Sequence, residues 1–534
     1  MKENKNQNFV KQAAFLSIAG IIVRIIGVIY IIPVTNIIGD LGNGYYQSAY
    51  TIYSIVLMIC SYSIPMAISK IMSEKISLNE QKNANRFFIS SLGYVIVIGG
   101  IASILVFAFS SLIVDAPQAT LALEIFAPTI FFSGILSVFR GFFQAQKTMI
   151  PTAISQLVEQ ILNAVISIVA SYFLTKNYLK SRDSIKVAQY GAAGNALGTG
   201  AGVLAGLVFI LIIFLIFYPK YKKTLSMDTH KNIMSYPHIF QLLLFMVTPV
   251  IISTFVYNAS TFVDMKIFYI VGKLQHSNLN ASVRLFGIYS RKYVPLSNLP
   301  IALASSMVSA LVPEISISYA KKDFMQTNQN IQTALHYCML IILPASVGLS
   351  VLADPIMKLL FGTSNSIAAT LLTFGMFSII FTGISTLFNG ALQGLGLVDV
   401  PMKNAFLALV LHVLILIPLL LSGLNVYALL ISSTAYAILV SILNLRKLYK
   451  TTGYFPNMKK TFLYPFLICV AMGISAKVSY IFFFSLFSKT FVSSRTKIGG
   501  SLFCSIAIAA FVYLGIAIST KTLSLDLFRK KINR

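Results

Sequence analysis

The sequence predicts an all-α polytopic membrane protein with about fourteen transmembrane helices, and three observations carry that expectation. Charged residues make up 10% of the 534-residue chain and hydrophobic residues 57%, whereas a water-facing surface needs roughly 25% charged residues. The mean hydropathy is +0.81. Apolar runs of the length that crosses a hydrocarbon core, about 20 residues, recur from end to end, without the ten-residue alternation of a membrane β-barrel.

The runs are 13–36, 46–67, 88–113, 121–144, 149–174, 190–217, 239–271, 284–312, 329–352, 366–394, 401–421, 425–445, 461–487 and 498–519. The first follows Lys2, Lys5 and Lys11. It reads as an uncleaved span, because it continues past Ile31 with Arg24 inside it and no small-residue cleavage site ends it. Span two carries Pro65, and Pro151 and Pro401 open the fifth and eleventh spans, where a first-turn proline costs a helix nothing. Span six holds Gly191, Gly194, Gly198, Gly200, Gly202 and Gly206, the small-residue pattern of close helix packing. Pro33, Pro65, Pro249, Pro295, Pro300 and Pro313 interrupt spans one, two, seven and eight; they read either as tolerated kinks or as bending points. The longest connections, 68–87, 175–189 and 218–238, are too short for a nucleotide-binding domain, and no GxxxxGK[ST] stretch is present. Transport would therefore run on an ion gradient, the membrane potential or the substrate's own gradient.

The charge sorts by position. Of 41 basic residues, 25 fall in segments that are cytoplasmic if the N-terminus is inside, counting Lys403 at the edge of span eleven, and 10 fall outside, counting Arg284 at the edge of span eight. That bias predicts both termini in the cytoplasm. One outer loop disagrees, with Lys176, Lys180, Arg182 and Lys186 between spans five and six. The formal charge of +26 thus reports topology rather than nucleic acid. Cys60, Cys338, Cys469 and Cys504 lie in apolar runs, so neither a disulfide framework nor a metal cluster is expected.

Span four reads Phe132-Ser-Gly-Ile-Leu-Ser-Val-Phe-Arg-Gly-Phe-Phe-Gln144, and span ten Phe381-Thr-Gly-Ile-Ser-Thr-Leu-Phe-Asn-Gly-Ala-Leu-Gln393. Phe132, Gly134, Ile135, Phe139, Gly141 and Gln144 recur at a constant offset of 249. The repeat shifts the chain by six spans, and an even shift keeps direction across the membrane. The halves are therefore expected to be parallel repeats with a site between them near the midplane. The expected organisation is an N-lobe over 1–217, a cytoplasmic linker over 218–238, a C-lobe over 239–445, and two added spans with a basic tail over 446–534.

A charge near the centre of a span is costly, roughly 2.5–3.5 kcal/mol on insertion scales, and is functional by default. Arg24 is flanked by Ile21, Ile22, Val23, Ile25 and Ile26, so it either pairs with another helix, with Glu159 a candidate, or faces a substrate cavity. Glu159 is a partner for Arg24 or Arg140, or a proton- or ion-coupled carboxylate. Arg140 either snorkels to the inner interface or captures a headgroup; its repeat partner is the neutral Asn389. Asp264 and Lys266 are two residues apart and face different sides of a helix. Arg291 and Lys292 lie inside span eight if it begins near Arg284, and are an interface anchor if it begins at Tyr293. An enzyme is disfavoured: the loop from Ile37 to Tyr45 offers only Asp40, and His412 stands alone in a late span.

Arg140-Gly-Phe-Phe-Gln144, Pro151-Thr-Ala-Ile-Ser-Gln156 and Glu159-Gln160 resemble the signature of the SpoVB-type and MurJ-type flippases. These belong to the multidrug/oligosaccharidyl-lipid/polysaccharide exporter superfamily. Ile22-Val-Arg-Ile-Ile-Gly27, Asn36-Ile-Ile-Gly-Asp40, Gly42-Asn-Gly-Tyr-Tyr46, Phe286-Gly-Ile-Tyr-Ser290, Asn298-Leu-Pro300 and Leu311-Val-Pro313 agree with it. The resemblance implies a flippase in the bacterial cytoplasmic membrane for an undecaprenyl-pyrophosphate-linked precursor, lipid II first. Its rivals are an exporter of another lipid-linked glycan and a drug/cation antiporter. It implies that Arg24, with Arg291 and Lys292, serves the substrate and that Asp264 and Asn404 serve a coupling cation (Na+ or H+); Arg140 and Glu159 join the expected substrate residues on their place in spans four and five. No cofactor or metal is implied. The implied partners are the lipid-linked glycan, membrane lipids and cell-wall synthesis enzymes, with the chain acting as a monomer.

Overall fold

A computed structural model describes residues 2–62, 64–230, 233–362, 366–488, 493–520 and 522–523. The basic tail beyond Leu523 and the side chains of Lys2, Lys5, Lys11 and Pro249 lie outside the described residues. The described residues contain helices and no strand: α1 (Lys2–Ile29), α2 (Ile31–Leu57), α3 (Ile64–Ser77), α4 (Gln81–Ala108), α5 (Ser110–Ile113), α6 (Thr120–Ala145), α7 (Ile150–Lys180), α8 (Ser184–Ser226), α9 (Tyr236–Leu274), α10 (Leu279–Ile288), α11 (Val294–Ala320), α12 (Phe324–Val351), α13 (Ala353–Phe361), α14 (Ser366–Gly394), α15 (Asp399–Leu421), α16 (Val426–Thr452), α17 (Tyr464–Ser488) and α18 (Ser494–Ser519). Eleven helices among the described residues are long and apolar enough to cross a membrane. The remaining expected spans fall on α1, α9 and the α10–α11 run.

The chain forms two compact units, Met1–Gly287 and Ile288–Arg534. In the first, α8 packs along α7, α6 and α2, and α6 along α4 and α3. In the second, α14 packs against α11, α12 and α16, while α17 and α18 pair with each other and α17 rests on α12. The glycines of the repeated motif explain why it recurs. A Cβ on Gly134 would overlap Val95 of α4, and one on Gly141 would lie 2.9 Å from Ile68 of α3. In the second unit, a Cβ on Gly383 would overlap Ile342 of α12, and one on Gly390 would overlap Val308 of α11. Each motif seats two neighbouring helices where only hydrogen fits, so the sequence identity records one packing solution used twice.

Prolines set the local geometry. Three π-helical turns, Met58–Tyr62, Tyr289–Tyr293 and Lys459–Leu463, each end shortly before Pro65, Pro295 or Pro465. A proline has no N–H to give and its ring pushes on the carbonyl four residues back; widening the preceding turn relieves that clash. The expected loop from Ile37 to Tyr45 is not a loop. Helix continues on both sides of Gly39, which alone takes φ 70°. Glycine reaches that region without the penalty of a Cβ.

The 218–238 connection is tied to the start of α4. The Asp228 carboxylate accepts from the backbone N–H of Lys82 and that of His230, both at 2.7 Å. Asn83 accepts from the Met234 N–H at 2.9 Å, Arg86 donates to the Met234 carbonyl at 2.8 Å, and the Arg86 guanidinium lies over the Tyr236 ring. The Lys82 and His230 amides hold the Asp228 carboxyl below the ordinary carboxylate range. A depressed native value contributes stability above the unfolded pKa and loses it as pH falls through the native one. Asp228→Ala is expected to speed amide exchange at Lys82 roughly fivefold at neutral pH, the usual size of a lost cap. Wild type should approach the variant only below about pH 4. Hydrogen–deuterium exchange of the 80–90 peptide reads this, and equal rates at neutral pH would refute the latch.

Candidate functional site

Arg24 lies 11 residues after the start and 12 before the end of the expected span 13–36, so helical rise puts it about 17 Å from each end. Ile18, Ile22, Ile25 and Ile29 form an exposed apolar stripe on one side of α1. At 100° per residue, Arg24 sits about 130° around the axis from the centre of that stripe. It is nevertheless exposed. Among the described residues, nothing accepts a hydrogen bond from its guanidinium. The other side of α1 meets α7, where a Cβ on Gly27 would lie 3.4 Å from the Gln160 amide. The expected alternative of an Arg24–Glu159 pair is not formed.

Glu159 is taken by Arg140. The Arg140 terminal nitrogen lies 2.6 Å from Glu159 Oε2, and Arg140 Nε donates to Ser155 Oγ at 2.9 Å. Ser155 in turn donates to the Thr152 carbonyl at 2.7 Å. Side-chain exposure is 15% for Arg140 and 29% for Glu159, so the pair is sheltered without being sealed. It joins α6 to α7 near the end of α6.

In the second unit the repeat partner of Arg140 finds a neutral solution. Asn444 of α16 donates to Asn389 Oδ1 at 2.6 Å, and Asn404 of α15 donates to Asn444 Oδ1 at 2.8 Å. Asn404, expected as an ion ligand, is thus part of a three-asparagine ladder across α14, α15 and α16. Asp264 lies on α9 of the first unit and is buried. Two residues on, Lys266 bridges to Asp115 at 2.8 Å and donates to the Ile113 carbonyl at 3.1 Å.

Arg291 and Lys292 sit in the π-turn before Pro295, inside an otherwise continuous helical run from Leu279 to Ala320. They are 7% and 4% exposed, so they are not an interface anchor at the start of a span. Lys292 lies over the Phe361 ring at 5.2 Å. The turn is held by Tyr293, against whose ring Gly375 packs. The glycines of Gly42-Asn-Gly-Tyr-Tyr46 and Phe286-Gly-Ile-Tyr-Ser290 meet within the first unit: a Cβ on Gly287 would come within 2.6 Å of Gly44 N, and one on Gly44 would overlap Val283. Tyr45 donates to Asn280 at 2.7 Å and Ser48 bonds Tyr269 at 2.8 Å beside that contact.

The second unit also holds an apolar cavity of about 530 Å³ between α11, α12, α17 and α18, lined by Leu299, Pro300, Leu349, Met472 and Tyr513 among others. Sequence reasoning had no signal for it, because its walls come from four distant stretches. Among the described residues no cluster of His, Cys, Asp and Glu could hold a metal ion.

A family model described as polysaccharide biosynthesis protein matches residues 9–319, and the MatE model matches 249–417. Stage V sporulation protein B of Bacillus subtilis (strain 168) is 25% identical over 408 residues, 75% of this chain and 76% of that one. Lipid II flippase MurJ of the same organism is 22% identical over 370 residues, 66% of this chain and 65% of that one. Among solved structures, a lipid II flippase MurJ in an inward closed conformation superposes with a TM-score of 0.65 at 17% identity, covering 97% of this chain and 99% of that one. An inward-facing multidrug resistance MATE family transporter of the MOP superfamily gives 0.60 at 14% identity, covering 81% and 99%. These superpositions speak to fold.

Proposed function

We propose that this chain, which belongs to the polysaccharide biosynthesis protein family within the MOP superfamily, is a flippase for lipid-linked glycan precursors whose cargo is lipid II. The observation that carries the reading is Arg24: an exposed cation midway along a span, turned from the lipid-facing stripe. A guanidinium in that place suits a diphosphate, which it binds through paired, charge-assisted hydrogen bonds. The similarity to a relative named lipid II flippase supports this choice of cargo. The MatE likeness argues less for a drug/cation antiporter, since a cationic drug calls for acidic groups where this chain offers Arg24.

In this reading the chain works by alternating access and makes or breaks no covalent bond. The diphosphate sits on Arg24 of the first unit; Arg291 and Lys292 are buried cations of the second unit. The isoprenoid tail follows apolar surface, for which the 530 Å³ cavity of the second unit is suited. Membrane potential, or a cation at Asp264, resets the empty carrier. The chain resides in the bacterial cytoplasmic membrane with both termini inside.

The test is complementation. In a bacterium whose own lipid II flippases are depleted, expressing this chain should restore lipid II at the outer leaflet, scored with a membrane-impermeant reagent. No restoration from protein shown to be in the membrane would overturn lipid II as cargo.

A further inference from the structure

The basic loop between α7 and α8 breaks the charge bias of the sequence, and the flippase reading does not use it. Its placement follows from the first unit alone. Ser73 donates to the Ala145 carbonyl at 3.1 Å and Tyr221 to Asn85 at 3.2 Å, so residues 73–85, 145 and 221 share one end of that unit. Helix α7 runs away from this end and α8 returns to it. The turn at 181–183 is therefore at the opposite end, outside in the topology proposed above.

The hairpin is stiff up to this tip. Ser167 donates to the Asn195 carbonyl at 3.2 Å and Ser171 to the Gly191 carbonyl at 3.1 Å. Tyr178 and Tyr190 stack at 4.8 Å between ring centroids. One carboxylate lies in the turn, Asp183; one oxygen caps α8 by accepting from the Lys186 N–H at 3.1 Å and the other lies 3.7 Å from Lys186 Nζ in an exposed pair.

The side of α7 turned from α8 reads as a depth gradient. Ile161, Val165 and Val169 are exposed at four-residue spacing; Tyr172 and Phe173 follow, both exposed. Lys176 and Lys180 then continue the same face, also exposed. Apolar, aromatic, then cationic is the order of hydrocarbon, interface and phosphate layer. On α8, Lys186 lies 11, 18 and 22 residues before the exposed Leu197, Leu204 and Val208, within about 20° of one face. Arg182 stands exposed at φ 56° in the turn. Four cations thus ring the hairpin at the depth where its lipid-facing stripe ends.

We infer that the α7–α8 tip binds the phosphates of anionic phospholipids in the leaflet it meets, which fastens the first unit to that leaflet. Retaining four cations against the topological bias has a physical return here, because each basic group near an anionic surface raises local lipid association roughly fivefold. The inference is independent of the cargo.

The chain has no tryptophan, so Phe173→Trp supplies a single reporter in the full-length protein. In phosphatidylcholine nanodiscs carrying a minor fraction of brominated lipid, brominated phosphatidylglycerol should be enriched at the reporter roughly fivefold over brominated phosphatidylcholine. High salt should abolish the preference, because its screening length is about 3 Å at 1 M. A second reporter at Phe511, exposed on α18, should show no preference. Neutralising Lys176, Lys180, Arg182 and Lys186 together to Gln should erase the preference at residue 173; K176Q/K180Q serves if the fourfold variant does not fold. Equal quenching by the two lipids at low salt overturns the inference, as does a preference that survives neutralisation.

Discussion

Arg24→Ala is expected to abolish translocation while leaving the protein folded in the membrane. The guanidinium is exposed, stands off the apolar stripe of α1, and forms no hydrogen bond within the described residues. Its removal therefore costs the fold little. The loss falls on the cargo. A hydrogen bond to a charged group contributes about 1.5–3 kcal/mol, so two to a diphosphate would change affinity by at least a hundredfold. Arg24→Lys keeps the charge but loses the planar fork, and should retain a measurable fraction of the rate. The readouts are lipid II exposure in the complemented strain and thermal unfolding of the purified variant. Normal exposure in Arg24→Ala would sink the site. A loss of exposure accompanied by a large loss of stability would show instead that Arg24 is structural.

What the sequence discloses and what it hides divide along physical lines. Spans are legible because burial in hydrocarbon is averaged over about 20 residues, and no single contact has to be known. The repeat is legible because Gly134, Gly141, Gly383 and Gly390 are fixed by close approach, and their neighbours on α3, α4, α11 and α12 tolerate nothing larger. Prolines mark kinks in the sequence but not which of them carry a π-turn: Pro65, Pro295 and Pro465 follow one, while Pro128, Pro344 and Pro418 sit inside α-helix. Arg291 and Lys292 were ambiguous, since span register decides between interface and interior. Pairings across long separations were least legible. Lys266 meets Asp115 from 151 residues away, and Asn404 meets Asn444 with no charge to give it away. Hydropathy registers the cost of a buried polar group but not the identity of its partner.

The Arg140–Glu159 pair gives the second large effect, and the repeat tells how to separate strut from substrate site. Removing one member of a sheltered ion pair strands the other. Glu159→Ala leaves Arg140 with Ser155 as its side-chain partner and should cost about 2 kcal/mol, less than for a fully buried pair because both groups keep some exposure. The second unit carries no charge at the equivalent positions: Asn389 stands for Arg140 and bonds to Asn444 of α16, and Leu409 stands for Glu159, 250 residues on as Pro401 is from Pro151. Arg140→Asn with Glu159→Leu should therefore recover much of what Glu159→Leu alone loses, a coupling of about 1–2 kcal/mol in the double-mutant cycle of those two substitutions. Reversible unfolding in a detergent titration measures it. If the pair is a strut, the double variant also restores lipid II exposure to near the wild-type level. If stability returns and exposure does not, Arg140 acts on the cargo. In that case the neutral Asn389 marks a division of labour: both units inherited the crossing, and only the first uses it to meet an anion.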